Sequence, residues 1–450
     1  MAQMNPQTKH VCVVGAGIVG LSTAWRLMQD GWQVSVIEES AAPGLVTSYA
    51  NGAQLSYSYV APLAEPSALT SLPKWLLQKD GPLHIHPSLS PNFLRWTLSF
   101  ATHCTSVRAQ QTTRDLLGLG YLSRRVLREW LANVPASWAT AAGLDYRTNG
   151  KLVVFRDPAA LASANAQVNY QRSLSVGCEQ HVLSPSECVQ TEPALAAMQS
   201  KLVGGIYTPS EDVVDSHGLC KYLERLIVSR GGSLHYDTRI TGAVLEGRRC
   251  IALKLKSQST LLQQVKTVDS AGGSDLSEFK ADFFVVAAGL SSRELLQKFD
   301  TRAPLLGLKG FSITLDCEHG IAPSMSITDS HHKIVFAKLG NRLRAAGMVD
   351  LGRENREVDA NRIAALIQQA RDNFPDAGDY GKVQTWAGLR PATPSSRPII
   401  DQTAFDNVYA NIGHGTLGLT LAAGSADLLA DKLAGRTSSL PMTPFTFQAA

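Results

Sequence analysis

The sequence predicts an α/β fold that opens with a Rossmann-like βαβ unit and continues into mixed α and β regions with long antiparallel strands. Three observations carry this. An apolar run at His10–Val14, helical spacing at Leu21, Ala24, Trp25 and Met28, and a second apolar run from Gln33 to Glu38 read as strand, helix, strand in a unit of ~30 residues. Gly15-Ala16-Gly17-Ile18-Val19-Gly20, a Gly-x-Gly-x-x-Gly pattern, falls between the first strand and the helix. Far downstream, residues 305–350 hold the extended runs Gly310–Leu315, Lys333–Lys338 and Arg342–Met348.

In the first unit, Gly15 permits the tight turn, Gly17 lets a pyrophosphate approach the positive end of the helix, and Gly20 allows close helix–strand packing. Gly31 falls where a left-handed residue ends the helix. Glu38 closes the second strand 18 residues beyond Gly20, where a carboxylate accepts hydrogen bonds from a ribose diol. An acid there disfavours a 2′-phosphate. The competing view, a glycine-rich core turn without ligand, has no use for an acid in that register.

From Tyr57 to Cys104 the chain turns Pro-rich and aromatic (Pro62, Pro66, Pro73, Trp75, Pro82, Pro87, Pro91, Phe93, Trp96) and reads as a lid or surface insertion more than as core. A helix is expected over 112–133, a strand at Lys151–Phe155, and helix plus strand over Pro158–Leu183. His217–Arg230 reads as a helix ended by Gly231-Gly232. The polar stretch Ser257–Lys280, with Ala271-Gly272-Gly273-Ser274, reads as a hairpin excursion or insertion. Phe283–Gly289 returns as a buried strand, 358–374 as a helix, and Val408–Ile412 then Thr416–Leu433 as strand, glycine turn, helix.

Composition narrows the function. The 450 residues are 44% hydrophobic and only 18% charged, against a globular average of ~25% charged, which fits a compact protein of two or three domains. A net charge of +4 gives no field for steering nucleic acid. Seven cysteines, with no Cys-x-x-Cys spacing, point to a reducing compartment and to no structural metal. No run reaches the ~18 apolar residues of a spanning helix. Lys9-His10 ahead of an apolar stretch resembles a signal peptide, but the glycine spacing argues for mature structure, so a cytoplasmic location is expected.

A second glycine pattern, Gly413-His414-Gly415-Thr416-Leu417-Gly418, is followed by only 32 residues, too few for another nucleotide domain. Its helix start is expected to serve a ligand held elsewhere, such as the anionic pyrimidine side of a reduced flavin; a plain turn capped by Thr416 is the alternative. Arg390, in Trp386-Ala387-Gly388-Leu389-Arg390-Pro391, is expected in a loop, where it suits either bidentate carboxylate binding or a surface. Lys338, Arg342 and Arg344 alternate along one expected strand and so share a face, towards solvent or a pocket; Tyr57 and Tyr59 share that ambiguity. His84/His86 and His331-His332 lack carboxylate companions for a metal.

The chain resembles the bacterial FAD-dependent D-amino acid dehydrogenases of small-subunit type, within the D-amino-acid oxidase and glycine oxidase superfamily. The likeness rests on Val11–Trp25, Ala50-Asn51-Gly52-Ala53-Gln54 through Pro62, Pro73-Lys74-Trp75, Gly204-Gly205, Leu308-Lys309-Gly310, Asn341–Met348, Gly388–Pro394 and Gly413–Gly418. It implies a Rossmann-like FAD-binding domain (1–60, 201–300, 385–450) interleaved with an α+β substrate-binding domain (61–200, 301–384) on a large mixed or antiparallel sheet. It also implies hydride transfer from a D-amino acid to FAD, giving a 2-oxo acid and ammonia after hydrolysis, with a quinone-type acceptor.

By position, the resemblance assigns Val14, Gly15, Gly17, Ile18, Val19, Gly20, Glu38 and Glu39 to the ADP half. Thr47, Ser48, Asn51, Gly52 and Gln54 follow the pyrophosphate and ribityl chain, and Gly415, Thr416 and Leu417 lie near the flavin pyrimidine. Ala288, Gly289, Gly388 and Gly413 complete the cofactor set. Arg390 holds the substrate carboxylate, Tyr59 is the lid, and Lys338 stands where members often carry Arg, as Ala53 stands for Gly. The interleaved apolar and cationic residues of Pro62–Phe100 (Leu72, Trp75, Leu76, Leu77, Leu83, Leu94, Trp96 and Phe100 with Lys74, Lys79 and Arg95) suit either a surface resting on the inner face of the membrane or packing on the substrate domain. Three other activities compete: a glycine or D-hydroxyproline type enzyme using oxygen or another acceptor, a flavin-binding scaffold without turnover, and an NAD-dependent dehydrogenase.

Overall fold

In the computed structural model, which describes residues 9–70, 81–174, 179–258 and 277–450, the opening βαβ forms as its pattern predicts. Strand His10–Val14 runs parallel to Gln33–Ile37, with helix Ile18–Gln29 between them. Gly31 follows the helix at φ +85°. The sheet around this unit has six strands in the order Ile399–Gln402, Val408–Ile412, Phe283–Val286, His10–Val14, Gln33–Ile37, Ser233–His235, all parallel except the first. Three antiparallel strands, Thr238–Glu246, Arg249–Ser257 and Ser277–Lys280, cover one of its faces, packing Cys250, Leu253 and Leu255 on Phe284 and Val286. The expected excursion at 257–280 thus begins and ends as a hairpin, while 259–276 lies outside the described residues.

A nine-stranded mixed sheet forms the other layer. Its order is Gln384–Ala392, Leu306–Asp316, Arg342–Leu351, Ile334–Leu339, Ser326–Asp329, Lys151–Phe155, Gly204–Thr208, His181–Leu183, with Leu83–Ile85 paired to the end of Arg342–Leu351. Two strands expected with the dinucleotide unit, Gly204–Thr208 and Gln384–Ala392, belong here, and helix Ser106–Leu131, expected with the substrate domain, packs in the dinucleotide unit's core. Local patterning shows a strand; only long-range pairing decides which sheet it joins.

The faces of this sheet follow from register. Ser312 opposes Ala346 and Trp386, and Leu308 opposes Arg390, so Arg390, Gly310, Ser312, Arg344 and Ala346 share the face turned to the first unit. Phe311, Ile313, Phe336, Leu343 and Ala345 point the other way and bury against Ile363, Leu366 and Ala370 of helix Ala360–Asn373.

The Pro-rich stretch differs from its expectation. Ser90 caps Phe93 N and Pro91 sits at the first helical position, so Pro91–His103 is a helix whose Phe93 and Trp96 are buried on the sheet, with Trp96 Nε1 donating to Ala392 O at 2.9 Å. Pro73, Lys74, Trp75, Leu76, Leu77 and Lys79, and Leu72 beside them, lie outside the described residues. Among those described, no helix is long and apolar enough to cross a membrane. Six described cysteines are buried and free; burial pushes the Cys188 thiol up to about 11 and Cys250 to about 12.

Helix Gly418–Ala434 is buried along most of its length between helices Ile18–Gln29 and Ser106–Leu131. Gly424 makes this possible, because a Cβ there would meet Leu119 O and Ser123 N at 2.8 Å. Gly424→Ala gains ~1 kcal/mol of helix propensity but must push backbone apart, so we expect a net destabilisation of about 1–2 kcal/mol, read as a lower urea midpoint. A midpoint at or above that of the parent would show that the two helices part freely.

Candidate active site

Two glycine turns end strands at the same edge of the parallel sheet. Gly15 has φ +106°, and a Cβ on it would lie 2.6 Å from Ala287 O; a Cβ on Gly20 would lie 1.9 Å from Gly15 O. Strand, turn and helix are therefore held at backbone contact. Helix Ile18–Gln29 carries no acid in its first turn and no side-chain cap at Gly17; Ser48 Oγ, brought in from another segment, accepts from Ile18 N at 3.1 Å. Glu38 turns its carboxylate back on this turn, accepting from Ala16 N at 2.6 Å and Ser40 N at 2.8 Å. Val14 is buried at the strand end while Val19 is half-buried beside the helix start. Glu39 points elsewhere: exposed, it accepts from Gln258 Nε2 at 3.0 Å and faces Arg239 at 3.6 Å.

The second turn carries Gly413 at φ +81° and Gly415 at φ +55°, then a single 3-10 turn before helix Gly418–Ala434. That helix also has no acid in its first turn. His414 bridges to Ala392 and packs under the turn, its Nε2 3.0 Å from Ser425 Oγ. Burial pushes His414 down to about 3, so the imidazole is neutral at physiological pH. Thr416 is exposed, and Gly415, Leu417, Ala288 and Gly289 are half-buried. Gly289 has φ +57° and follows the strand that Gly15 touches.

The segment 47–54 joins the two layers. Thr47 Oγ1 donates to Leu389 O at 2.7 Å, next to Arg390. Asn51 Oδ1 accepts from Ala53 N at 2.9 Å, and Ala53 has φ +56°, a left-handed conformation that glycine adopts more readily than alanine. Gly52 lies against the large sheet, where a Cβ would come 2.6 Å from Val335 Cγ2. Gln54 is pinned in the sheet, its Nε2 donating to Ile327 O at 3.1 Å. It holds the segment in place, with its amide committed to backbone.

Arg390 lies in strand Gln384–Ala392 and not in a loop, because Leu389 and Arg390 pair with Lys309 and Leu308. Its guanidinium lies over Gly310, where a Cβ would be 2.3 Å from Cζ, and Nη1 donates weakly to Met348 O at 3.4 Å. Among the described residues no carboxylate pairs with it. Burial pushes it down to about 10, which leaves it cationic at neutral pH. A Cβ on Gly388 would meet the Trp386 ring at 2.2 Å.

Lys338 falls elsewhere. It ends one arm of a hairpin, Ile334–Leu339, and Arg342 and Arg344 begin the other, so the three do not share a strand. Register places Lys338 opposite Leu343 and Ala337 opposite Arg344, so Lys338 faces away from Arg390 and Arg344. Arg342 and Arg344 instead share Asp215, at 3.4 and 3.6 Å, beside a cavity of about 80 Å³. Tyr57 is buried with its hydroxyl on Asp212 at 3.0 Å. Tyr59 is 36% exposed, its ring 4.6 Å from Lys151 Nζ, and no described contact joins it to Arg390. Lys151 escapes sequence reasoning; its one signal is a cation opening the otherwise apolar strand Lys151-Leu152-Val153-Val154-Phe155.

FAD fits these residues. Two helix starts without acids, a strained glycine cradle that no side chain can enter, and a carboxylate at the end of the second strand suit a diphosphate, an electron-rich ring and a ribose. Gly20→Ala drives a methyl group into Gly15 O, so we expect protein purified without bound flavin, seen as loss of its yellow absorbance. Full retention of flavin would mean the cradle is not the nucleotide site.

Residues 10–432 match the family described as FAD dependent oxidoreductase. A D-amino acid dehydrogenase 2 of Ralstonia nicotianae is 44% identical over 97% of this chain and 99% of its own length, and one of Pseudomonas aeruginosa 40% identical over 97% of each. Among solved structures, glycine oxidase from Geobacillus kaustophilus superposes with a TM-score of 0.72 at 17% identity, covering 98% of this chain and 99% of that one. L-proline dehydrogenase from P. horikoshii gives 0.72 at 13% identity over 98% of each. With the glycine cradle, the acid-free helix starts and this full-length likeness together, the chain belongs to the FAD-dependent oxidoreductases, and FAD is its cofactor.

Proposed function

We propose that the protein is a D-amino acid dehydrogenase, of the small-subunit type, that passes its electrons to a quinone-type acceptor at a membrane surface. The observation that carries the substrate class is Arg390, a half-buried guanidinium without a carboxylate partner among the described residues, on the sheet face turned to the flavin-binding unit. A substrate carboxylate supplies the missing partner through two parallel hydrogen bonds. The names of the relatives at 44% and 40% identity support a D-amino acid. The fold alone does not, since its structural likenesses include enzymes named for glycine and for L-proline.

FAD, when bound, supplies the two-electron acceptor for the substrate Cα–H bond. What the chain contributes is orientation: Arg390 fixes the carboxylate, and Gly310 leaves the guanidinium room to lie flat on the strand. The imino acid released is hydrolysed to a 2-oxo acid and ammonia.

The outer face of helix Pro91–His103 supports the reading of a membrane-borne acceptor. Leu94 and Leu98 stand four residues apart, 45% and 69% exposed, while Phe93 and Trp96 face inward. Leu89 at 90% and Val107 at 76%, just before and just after this helix in the chain, are exposed too, as are Arg95 and Arg108. Apolar side chains flanked by cations suit the interface of an anionic bilayer.

D-alanine or D-methionine added without oxygen should bleach the flavin, and a quinone analogue should reoxidise it much faster than oxygen does; rapid peroxide formation without quinone stimulation would make the protein an oxidase. Arg390→Ala should keep its flavin and lose about 1.5–3 kcal/mol of substrate binding, roughly ten- to a hundred-fold; unchanged kinetics would remove Arg390 from the site. Leu94→Glu with Leu98→Glu should abolish sedimentation with anionic vesicles and leave reduction of a soluble dye intact. Undiminished vesicle binding would place the membrane contact elsewhere.

A further inference from the structure

Lys151 opens the strand Lys151–Phe155 and is 3% exposed. Its partners Ser326 and Thr208 in register, and Thr328 two residues along, place it on the inner sheet face, the one that carries Arg390 and receives Gln54. The ammonium donates to Ser56 Oγ at 2.7 Å and stands 4.6 Å from the centre of the Tyr59 ring. Ser56 in turn donates its backbone N–H to Thr420 Oγ1 at 3.1 Å, in the first turn of the helix behind the second glycine turn. Glu211, 1% exposed, accepts from Tyr57 N and Ser58 N, each at 2.7 Å. Every residue from Ser56 to Tyr59 is thus held by a buried polar or charged group from outside the segment.

We propose that Lys151 is a positioning residue of the proposed reaction: its ammonium, clamped between Ser56 Oγ and the face of Tyr59, holds the segment Ser56–Tyr59 across the inner face of the sheet, the face that also carries Arg390. This rests on the D-amino acid reading for its kinetic consequence only. A buried ammonium over an aromatic face is a strong contact because little water competes for it. The alternative, a lysine buried merely to fill space, is costly unless the charge is used.

The charge of the clamp is sensitive to pH. Burial lowers the pKa of Lys151 and raises that of Glu211, the neighbour whose charge opposes it. Tyr59 faces Lys151 directly, and burial with the charge of Glu65 raises its phenol, so the ring stays neutral; Lys333 faces Glu65 in turn. Tyr57, Tyr146 and Arg128 are engaged with Asp212 on the far side of Glu211. The cation–π contact is present at neutral pH and is lost as pH rises, well before an exposed lysine would titrate.

Hydrogen exchange of the FAD-loaded enzyme, corrected for intrinsic rates, reads the clamp without any substrate. Lys151→Met should speed exchange over residues 56–65 at neutral pH. The wild type should reach the same state only at alkaline pH, and Lys151→Arg should remove that step. In turnover, Lys151→Met and Tyr59→Leu should each raise KM roughly ten-fold with little change in kcat, and the double variant should be no worse than either. Should Lys151→Met lose its flavin, Lys151→Arg and Tyr59→Leu carry the same comparison. Unchanged exchange in a flavin-loaded Lys151→Met, or additive effects on KM, would overturn the proposal. Absent D-amino acid turnover together with the predicted exchange pattern would sink the proposed function and leave the clamp standing.

Discussion

The site depends on one packing constraint: helix Gly418–Ala434 must lie at backbone distance from its neighbours. Its run Ala422-Ala423-Gly424-Ser425-Ala426 is small enough to allow it, and all five residues are buried. Once seated, the helix is tied at several points, through Asp427 to Arg26 at 2.7 Å, Ser425 to His414 and Thr420 to Ser56. These ties set where its N-terminus points. A wider residue in the run would displace the second glycine turn, strand Gln384–Ala392 through the His414–Ala392 bridge, and with it Arg390. Packing far from any ligand thereby fixes the distance between the cofactor cradle and the substrate cation.

The inner face of the large sheet concentrates buried and half-buried cations. Arg390, Arg344 and Lys151 all point to it, and burial lowers the pKa of each. Their surroundings differ in kind. Among the described residues Arg344 has Asp215 at 3.6 Å, Lys151 has Ser56 and Tyr59, and Arg390 has only a distant carbonyl. An unbalanced positive charge in a region of low dielectric is tolerable where an anion completes it, and the diphosphate of FAD and a substrate carboxylate are both anions. The neutrality of His414 belongs to the same balance, since burial alone pushes its charged form out and no described carboxylate pairs with it.

Local features were legible and long-range ones were not. Gly15–Gly20 and Glu38 could be read directly, because a tight turn at a helix start leaves its mark in consecutive residues and an acid at a strand end has a fixed spacing. Gly413–Gly418 was legible for the same reason. Arg390 lies in a strand but reads as loop in the sequence, because Pro391 and Pro394 read as turn signals and the pairing with Leu308 lies 82 residues away. Lys338 was misplaced because Gly340-Asn341 turns the chain between two strands that read as one alternating run. Trp96 read as surface because prolines dominate its segment, yet Pro91 at a helix N-terminus starts order instead of breaking it. Lys151 had no motif; only three elements meeting at Ser56, Tyr59 and Glu211 give it meaning.

The buried thiols bear on what the enzyme survives. A cysteine reacts with oxidants as its thiolate, and the six described cysteines are all buried, with burial raising the thiol of each. Stray oxidants formed beside a reduced flavin therefore meet few nucleophiles among the folded residues around them. The same burial makes alkylation of these sulfurs a clock for unfolding, since each becomes reactive only when the layer of sheet or helix above it opens.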